Sequence, residues 1–290
     1  MVMLPSTAYA RSLPLSCHLP GSGVRWSPVP RWTPIAILLG AALVVGGWLW
    51  FTPEGVLGKA DAIGYALCHR IAGRSFSING RPLPLCARCS GLYLGALLAM
   101  GTAAAVGRAR AWGLPPWRVA AALLVFVGIM GVDGINSYMT FFRGLPHLYE
   151  PQNWLRLTTG MFAGLTIGLF VLPSFNATLW REPDTQPILA NLRELGALAL
   201  LAAIIVGLIL TNNPAVLYLL AILGSLAALL LLAMIHLTLW LSLVRRANRV
   251  ASWRGLALPF VAGLTLAVAQ VAVIDALRLA WTGTWAGFAL

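Results

Sequence analysis

The sequence predicts an all-α fold. It reads as a polytopic transmembrane helical bundle of about seven spans, with a short interfacial helix and a cysteine-rich loop between spans one and two. Three observations carry this. Hydrophobic residues make up 59% of the 290-residue chain and charged residues 10%, against about 25% charged in soluble domains. The mean hydropathy is +0.83. The apolar residues come in unbroken runs of about twenty, the length that crosses hydrocarbon as a helix. Barrel strands would alternate over roughly ten positions, and only helices or closed barrels satisfy every backbone group in lipid.

Taken in order, residues 1–33 hold Pro5, Pro14, Pro20, Pro28 and Pro30 among serines and glycines. They are expected to form a disordered basic tail, not a signal sequence, since no apolar stretch of the right length precedes Arg31. The pair Cys17-His18 within it is expected to be incidental. The apolar runs then cover residues 34–51, 87–106, 118–142, 155–173, 193–211, 214–244 and 255–281. Lys59–His69 is shorter and carries Asp61, as an interfacial or re-entrant helix would. Residues 34–173 are expected to form a membrane core, 174–192 a loop, and 193–290 a three-helix membrane part.

The formal net charge of +12 does not indicate a nucleic-acid partner. The basic residues are arginines in loops between apolar runs, Lys59 being the only lysine, and basic loops orient membrane proteins. Arg245, Arg246, Arg249 and Arg254 lie across a span from the uncharged turn Thr211–Pro214. This predicts 245–254 and the N-terminus in the cytoplasm and the Cys68–Cys89 loop outside, with the lipid bilayer as the main partner. Lys59, Arg70, Arg74, Arg81 and Arg88 oppose that count. The expectation is that they are held for another reason.

Candidate chemistry is concentrated between Cys68 and Tyr93. Cys68-His69 is followed by Arg74-Ser75-Phe76, Gly80, Pro84, Cys86-Ala87-Arg88-Cys89, Gly91, Tyr93 and Gly95. Unpaired N–H groups in the first turn of a helix carry partial positive charge. With Arg88 they favour thiolate at Cys86-x-x-Cys89. The run resembles the signature of an uncharacterised prokaryotic membrane-protein family, domain of unknown function 2085. A second element, Asp133-Gly134 followed by Asn153, Arg156 and Thr159-Gly160, is also similar to that family, and Arg70 stands where the family often has glutamine. The resemblance spans about residues 60–170. It implies a prokaryotic plasma-membrane protein and, since the family has no established activity, supplies no function.

Three readings of the cysteines stay open. The first is a metal site, zinc before others, on Cys68, His69, Cys86 and Cys89, with His147 as a replacement because adjacent residues diverge on a helix. The second is a thiol–disulfide oxidoreductase passing electrons from Cys86-x-x-Cys89 to a quinone. The third is a structural disulfide or packed thiols, in a non-catalytic scaffold or transporter component. Arg70, Arg74, Arg81 and Arg88, with Ser75, are candidates for a lipid-phosphate headgroup, since guanidinium forks suit phosphate oxygens. Plain interfacial snorkelling is the alternative.

No nucleophile–base pair supports a named reaction, so whether the chain is an enzyme stays open. Asp133, in the middle of an apolar run, is costly there and needs a partner or a cavity. Arg156 is expected to be that partner, and the two are the candidates for proton or substrate handling. Asp275 and Arg278, at i and i+3, are expected to satisfy each other. Gly160, Gly164 and Gly168 predict close helix packing, and His236 a packing role.

Overall fold

A computed structural model describes residues 32–142 and 146–288. The N-terminal tail, including Cys17-His18, lies outside them. The described residues form α1 (Thr33–Phe51), α2 (Gly55–Leu67), a 3-10 turn (Ala72–Arg74), β1 (Ser77–Ile78), β2 (Arg81–Pro82), α3 (Ala87–Ala105), β3 (Ala111–Gly113), α4 (Trp117–Met139), α5 (Asn153–Leu179), β4 (Asp184–Pro187), α6 (Leu192–Leu210), α7 (Pro214–Leu243) and α8 (Trp253–Thr282).

Six of these helices, α1 and α4 to α8, are long and apolar enough to cross a membrane. The seventh expected run is α3, as long as α1 at 19 residues. Its first turns carry Arg88, Ser90 and Tyr93, and it packs inside the bundle. The 13-residue α2 is too short to cross. Helix starts follow local chemistry. Asn191, Asn213 and Ser252 accept backbone N–H groups at the N-termini of α6, α7 and α8. Pro214 sits in the first turn of α7, where its missing N–H costs nothing. The apolar run ending at 173 stops at Pro173, yet α5 continues through that proline to Leu179. Membrane helices tolerate this because neighbouring groups re-satisfy the freed carbonyl.

The centre of the bundle is the α3–α5 pair. A Cβ on Gly160 would stand 2.2 Å from the Arg88 carbonyl oxygen, and one on Gly164 2.1 Å from that of Leu92. From the other side, a Cβ on Gly95 would stand 2.1 Å from the Met161 carbonyl oxygen. The two backbones therefore touch, as the glycine spacing predicts.

Asn79-Gly80, with φ of 49° and 82°, makes the tight turn of the β1–β2 hairpin. It sits at the same end as α2, the C-terminus of α4 and the N-terminus of α5. At the opposite end β3 pairs in parallel with β4, Trp180 bridges to Val250, and Arg108 pairs with Glu194 at 2.5 Å. His236 Nδ1 lies 2.7 Å from the Leu232 carbonyl oxygen of its own helix, as a packing residue would.

Candidate metal centre

α2 ends at Leu67, and the chain runs extended through Cys68. One turn earlier, Gly64 lets the following loop ride directly on the helix: a Cβ there would be 1.9 Å from the Pro84 carbonyl oxygen. This contact sets Cys86 beside Cys68. The Cys86 N–H donates to the Cys68 sulfur at 3.3 Å. Arg70, at φ 51°, turns its own N–H back onto the same sulfur at 3.5 Å. Cys86 is the N-cap of α3 and Cys89 lies in its first turn. The sulfurs of Cys68, Cys86 and Cys89 fall within 4.8 Å of one another.

All three cysteines are free thiols, Cys68 and Cys86 buried and Cys89 half-buried. The Cys86 and Cys89 thiols donate to Cys68, and with His69 and the Arg70 N–H they hold its pKa far below the ordinary thiol value against the opposing effect of burial. Cys86, whose proton is engaged with Cys68, is pushed up to about 11. The two neighbouring thiols thus favour the thiolate at Cys68 and keep their own protons. A thiophilic cation would replace the remaining protons.

Of the four expected ligands, the structure brings three together. His69 stands beside them, with Nδ1 3.8 Å from the Cys68 sulfur, but outside the set of mutually close ligand atoms. The extended backbone at Cys68 is the reason, since successive side chains of an extended chain point to opposite sides. His69 Nε2 is buried without a hydrogen-bond partner. His147 pairs instead with Glu150 at 2.8 Å.

The arginines divide between two carboxylates. Asp61 holds Arg70 at 2.7 Å and Arg81 at 2.5 Å. Asp133, 1% exposed, accepts from Arg88 Nε at 3.1 Å and more closely from its Nη2. It also accepts from Tyr149 Oη at 2.9 Å and Thr159 Oγ1 at 3.4 Å. The expected Asp133–Arg156 pair is therefore corrected. Arg156 donates to Ser137 Oγ at 2.9 Å and Asn153 Oδ1 at 3.0 Å. It starts its helix near the surface, and Arg88, projecting from α3, reaches Asp133 first. The expected Asp275–Arg278 pair is corrected too. Arg278 donates to the carbonyls of Tyr65, Cys68 and His69 at the end of α2, where helix dipoles favour a cation. Asp275 accepts from Trp48 Nε1 at 3.1 Å.

Arg74 donates to the Ser137 carbonyl at 3.2 Å and Thr140 Oγ1 at 3.3 Å, and lies 3.7 Å over the Phe141 ring. Burial, then the Arg156 and Arg88 charges, lower its affinity for its proton. The Ser75 hydroxyl is used locally, donating to the Ile71 carbonyl at 3.0 Å. Of Arg74, Arg88 and Arg156, Arg88 alone contacts Asp133, and the other two donate to neutral acceptors beside it. Beside them a cleft of about 500 Å³ is lined by His69, Arg74, Arg88, Ser137, Tyr138 and Phe142, among others.

Sequence reasoning missed Tyr149, Asp61 as a clamp, and Arg278 as the cap of α2. Tyr149 reaches Asp133 because Asn136 Oδ1 accepts the Leu148 N–H at 2.6 Å and Asn136 Nδ2 donates to the Tyr149 carbonyl at 2.9 Å. Asn136, one helical turn from Asp133, is the sequence signal for a polar loop folded over that face.

Residues 68–170 match the profile of the family described as predicted membrane protein (DUF2085). That segment begins at Cys68 and contains Cys86, Cys89, Asp133 and Arg156. An uncharacterized protein of Methanocaldococcus jannaschii is 32% identical over 117 residues, which is 40% of this chain and 68% of that one. An uncharacterized protein of Methanothermobacter thermautotrophicus is 35% identical over 106 residues, 37% of this chain and 83% of that one. No solved structure matches the chain.

Proposed function

Because the chain belongs to the family described as predicted membrane protein (DUF2085), we propose that it is a membrane-embedded metal-binding protein, with zinc held at Cys68, Cys86 and Cys89. The proximity of the three sulfurs carries the reading. Sulfurs 2.3 Å from a tetrahedral ion stand about 3.8 Å apart, so the trio needs only a small contraction from the 4.8 Å bound. His69 is the nearest further donor, and its imidazole would have to turn toward Cys86 and Cys89 to become the fourth ligand through Nδ1. Its 3.8 Å separation from the Cys68 sulfur is close to the roughly 3.5 Å of a tetrahedral sulfur–nitrogen edge.

The neighbouring cleft, lined by Arg74 and Arg88, suits the phosphate of a lipid headgroup, and these two guanidinium groups are its donors. The site lies at the outer face of a plasma membrane, with the N-terminus and 245–254 in the cytoplasm. What supports this orientation is the fate of the opposing charges. Arg70, Arg81 and Arg88 are held by Asp61 and Asp133, and Lys59 caps the end of α1 by donating to the Thr52 carbonyl at 3.0 Å.

Elemental analysis of detergent-purified protein tests the metal reading. About one zinc per chain is expected, lost in Cys86→Ser and Cys89→Ser together with thermal stability, because zinc binding is coupled to folding. A metal-free protein whose Cys86 and Cys89 cycle between dithiol and disulfide would replace this reading with quinone-linked thiol chemistry.

A further inference from the structure

A cavity of about 580 Å³ opens on the flank of the bundle between α1 and α8, and no cysteine lines it. Trp48, Phe51, Asp275, Leu279 and Trp285 line it, and Gly47, Ala272 and Ala276 leave the room. α1 is apolar along its length and buries little of its surface, so this side of the bundle faces lipid.

Asp275 is 3% exposed. Its Oδ2 accepts from Trp48 Nε1, while Oδ1 is buried with no donor. The nearest candidate cation on its own helix, Arg278, sends its NH groups to the carbonyls of α2; its Nε also lacks a partner. Among the described residues Asp275 makes no contact ion pair, and the Arg278 and Arg70 charges act on it only from a distance. A carboxylate in such surroundings demands a donor or a cation, and aromatic faces beside it favour an organic cation.

We propose that this cavity binds the ammonium group of an alkylammonium compound, which donates to Asp275 Oδ1 and lies against the rings of Trp48, Phe51 and Trp285. Depth agrees with this. The 30 residues of α8 span about 45 Å, against about 30 Å of hydrocarbon. Asp275 lies seven residues before the helix end, about 10 Å along the axis. With the excess length shared between the two faces, Asp275 falls a few ångströms inside the headgroup boundary. A lipid ammonium reaches it without crossing the bilayer core. Lys59, bonded to Thr52 Oγ1 at 3.0 Å, places a positive charge near the rim, since Thr52 also lines the cavity. That charge suits the phosphate of an aminophospholipid. The ammonium could equally belong to a soluble amine.

Native mass spectrometry of the full chain in nonionic detergent separates the possibilities. Phosphatidylethanolamine should be retained at about one per chain, and its N-acetylated form at least about tenfold less. Asp275→Asn should lower retention about tenfold, and Asp275→Glu should restore most of it. Displacement by n-butylammonium at matched concentration assigns a soluble amine as the source, and persistence assigns the lipid. Should Asp275→Asn fail to fold, Ala276→Leu fills the cavity from an exposed position and leaves the carboxylate in place. It should lose the ligand with an unchanged melting temperature. Equal retention of the N-acetylated lipid, or unchanged retention in folded Asp275→Asn or Ala276→Leu, would overturn the proposal and leave Asp275 a structural residue.

Discussion

Asp133 shows how burial chooses among partners. Two arginines compete for one carboxylate inside the bundle, and the one that reaches it with Nε and Nη2 is Arg88, from the neighbouring helix. Removing one member of a buried pair leaves the other charged and uncompensated, at a cost of about 3–5 kcal/mol. Asp133→Asn should fall near the lower figure, because the Arg88 side chain keeps 23% of its exposure. The double variant with Arg88→Gln should recover part of the loss, and the corresponding cycle with Arg156→Gln should come out closer to additive. Thermal unfolding in detergent reads both cycles. A larger coupling to Arg156 than to Arg88 would refute the assignment. The carboxylate itself was legible as a residue needing a partner. Its partner was not, because reach depends on where two helices cross, and one sequence does not report that.

Among the elements, α3 and α5 depend on hydrogen-sized side chains. Gly164→Ala places a methyl group 2.1 Å from the Leu92 carbonyl oxygen, a distance that forces the backbones apart. Overpacking usually costs about 1–3 kcal/mol, and a rigid backbone obstacle puts this variant at the upper end. Gly128→Ala on α4 meets nothing within 4 Å and should melt like the parent. Equal melting temperatures for the two would show that the helices do not touch as described. Spacing alone made this packing legible, since Gly160, Gly164 and Gly168 fall on one face. The Asn79-Gly80 hairpin carried an equally plain signal, a turn pair between short segments. The stretch nevertheless reads as loop, because strands of two residues show no alternation. The continuation of α5 beyond Pro173 was hidden for a different reason: a proline reads as a stop unless the surrounding protein is known to re-satisfy the carbonyl it frees.

At the scale of the whole molecule, charge sets orientation. The end holding β1, β2 and the cysteines keeps Arg70, Arg81 and Arg88 in ion pairs, and the opposite end carries Arg245, Arg246 and Arg249 between α7 and α8 and Arg254 in the first turn of α8. Cysteines introduced at exposed Ser77 and Ala247 test the sidedness against the parent chain, whose three described thiols are largely buried. An impermeant maleimide should label Ser77→Cys on intact cells and Ala247→Cys only after lysis. The reverse pattern would invert the bundle. The helical bundle was readable from apolar run length, and the grouping of the cysteines from their spacing. Neither the fate of His69 nor the charge partners could be read, because both depend on contacts between segments far apart in the chain.

Arg278 ties these scales together. It stands on the last helix, more than a hundred residues beyond the stretch that matches the family profile, yet its guanidinium closes the carbonyl end of the helix that delivers Cys68. The cysteine loop is accordingly not a detachable cassette. In this chain the terminal helix acts as a clasp, and a fragment ending with the shared segment would carry every sulfur and lack the fastening that keeps the first of them in register with the other two.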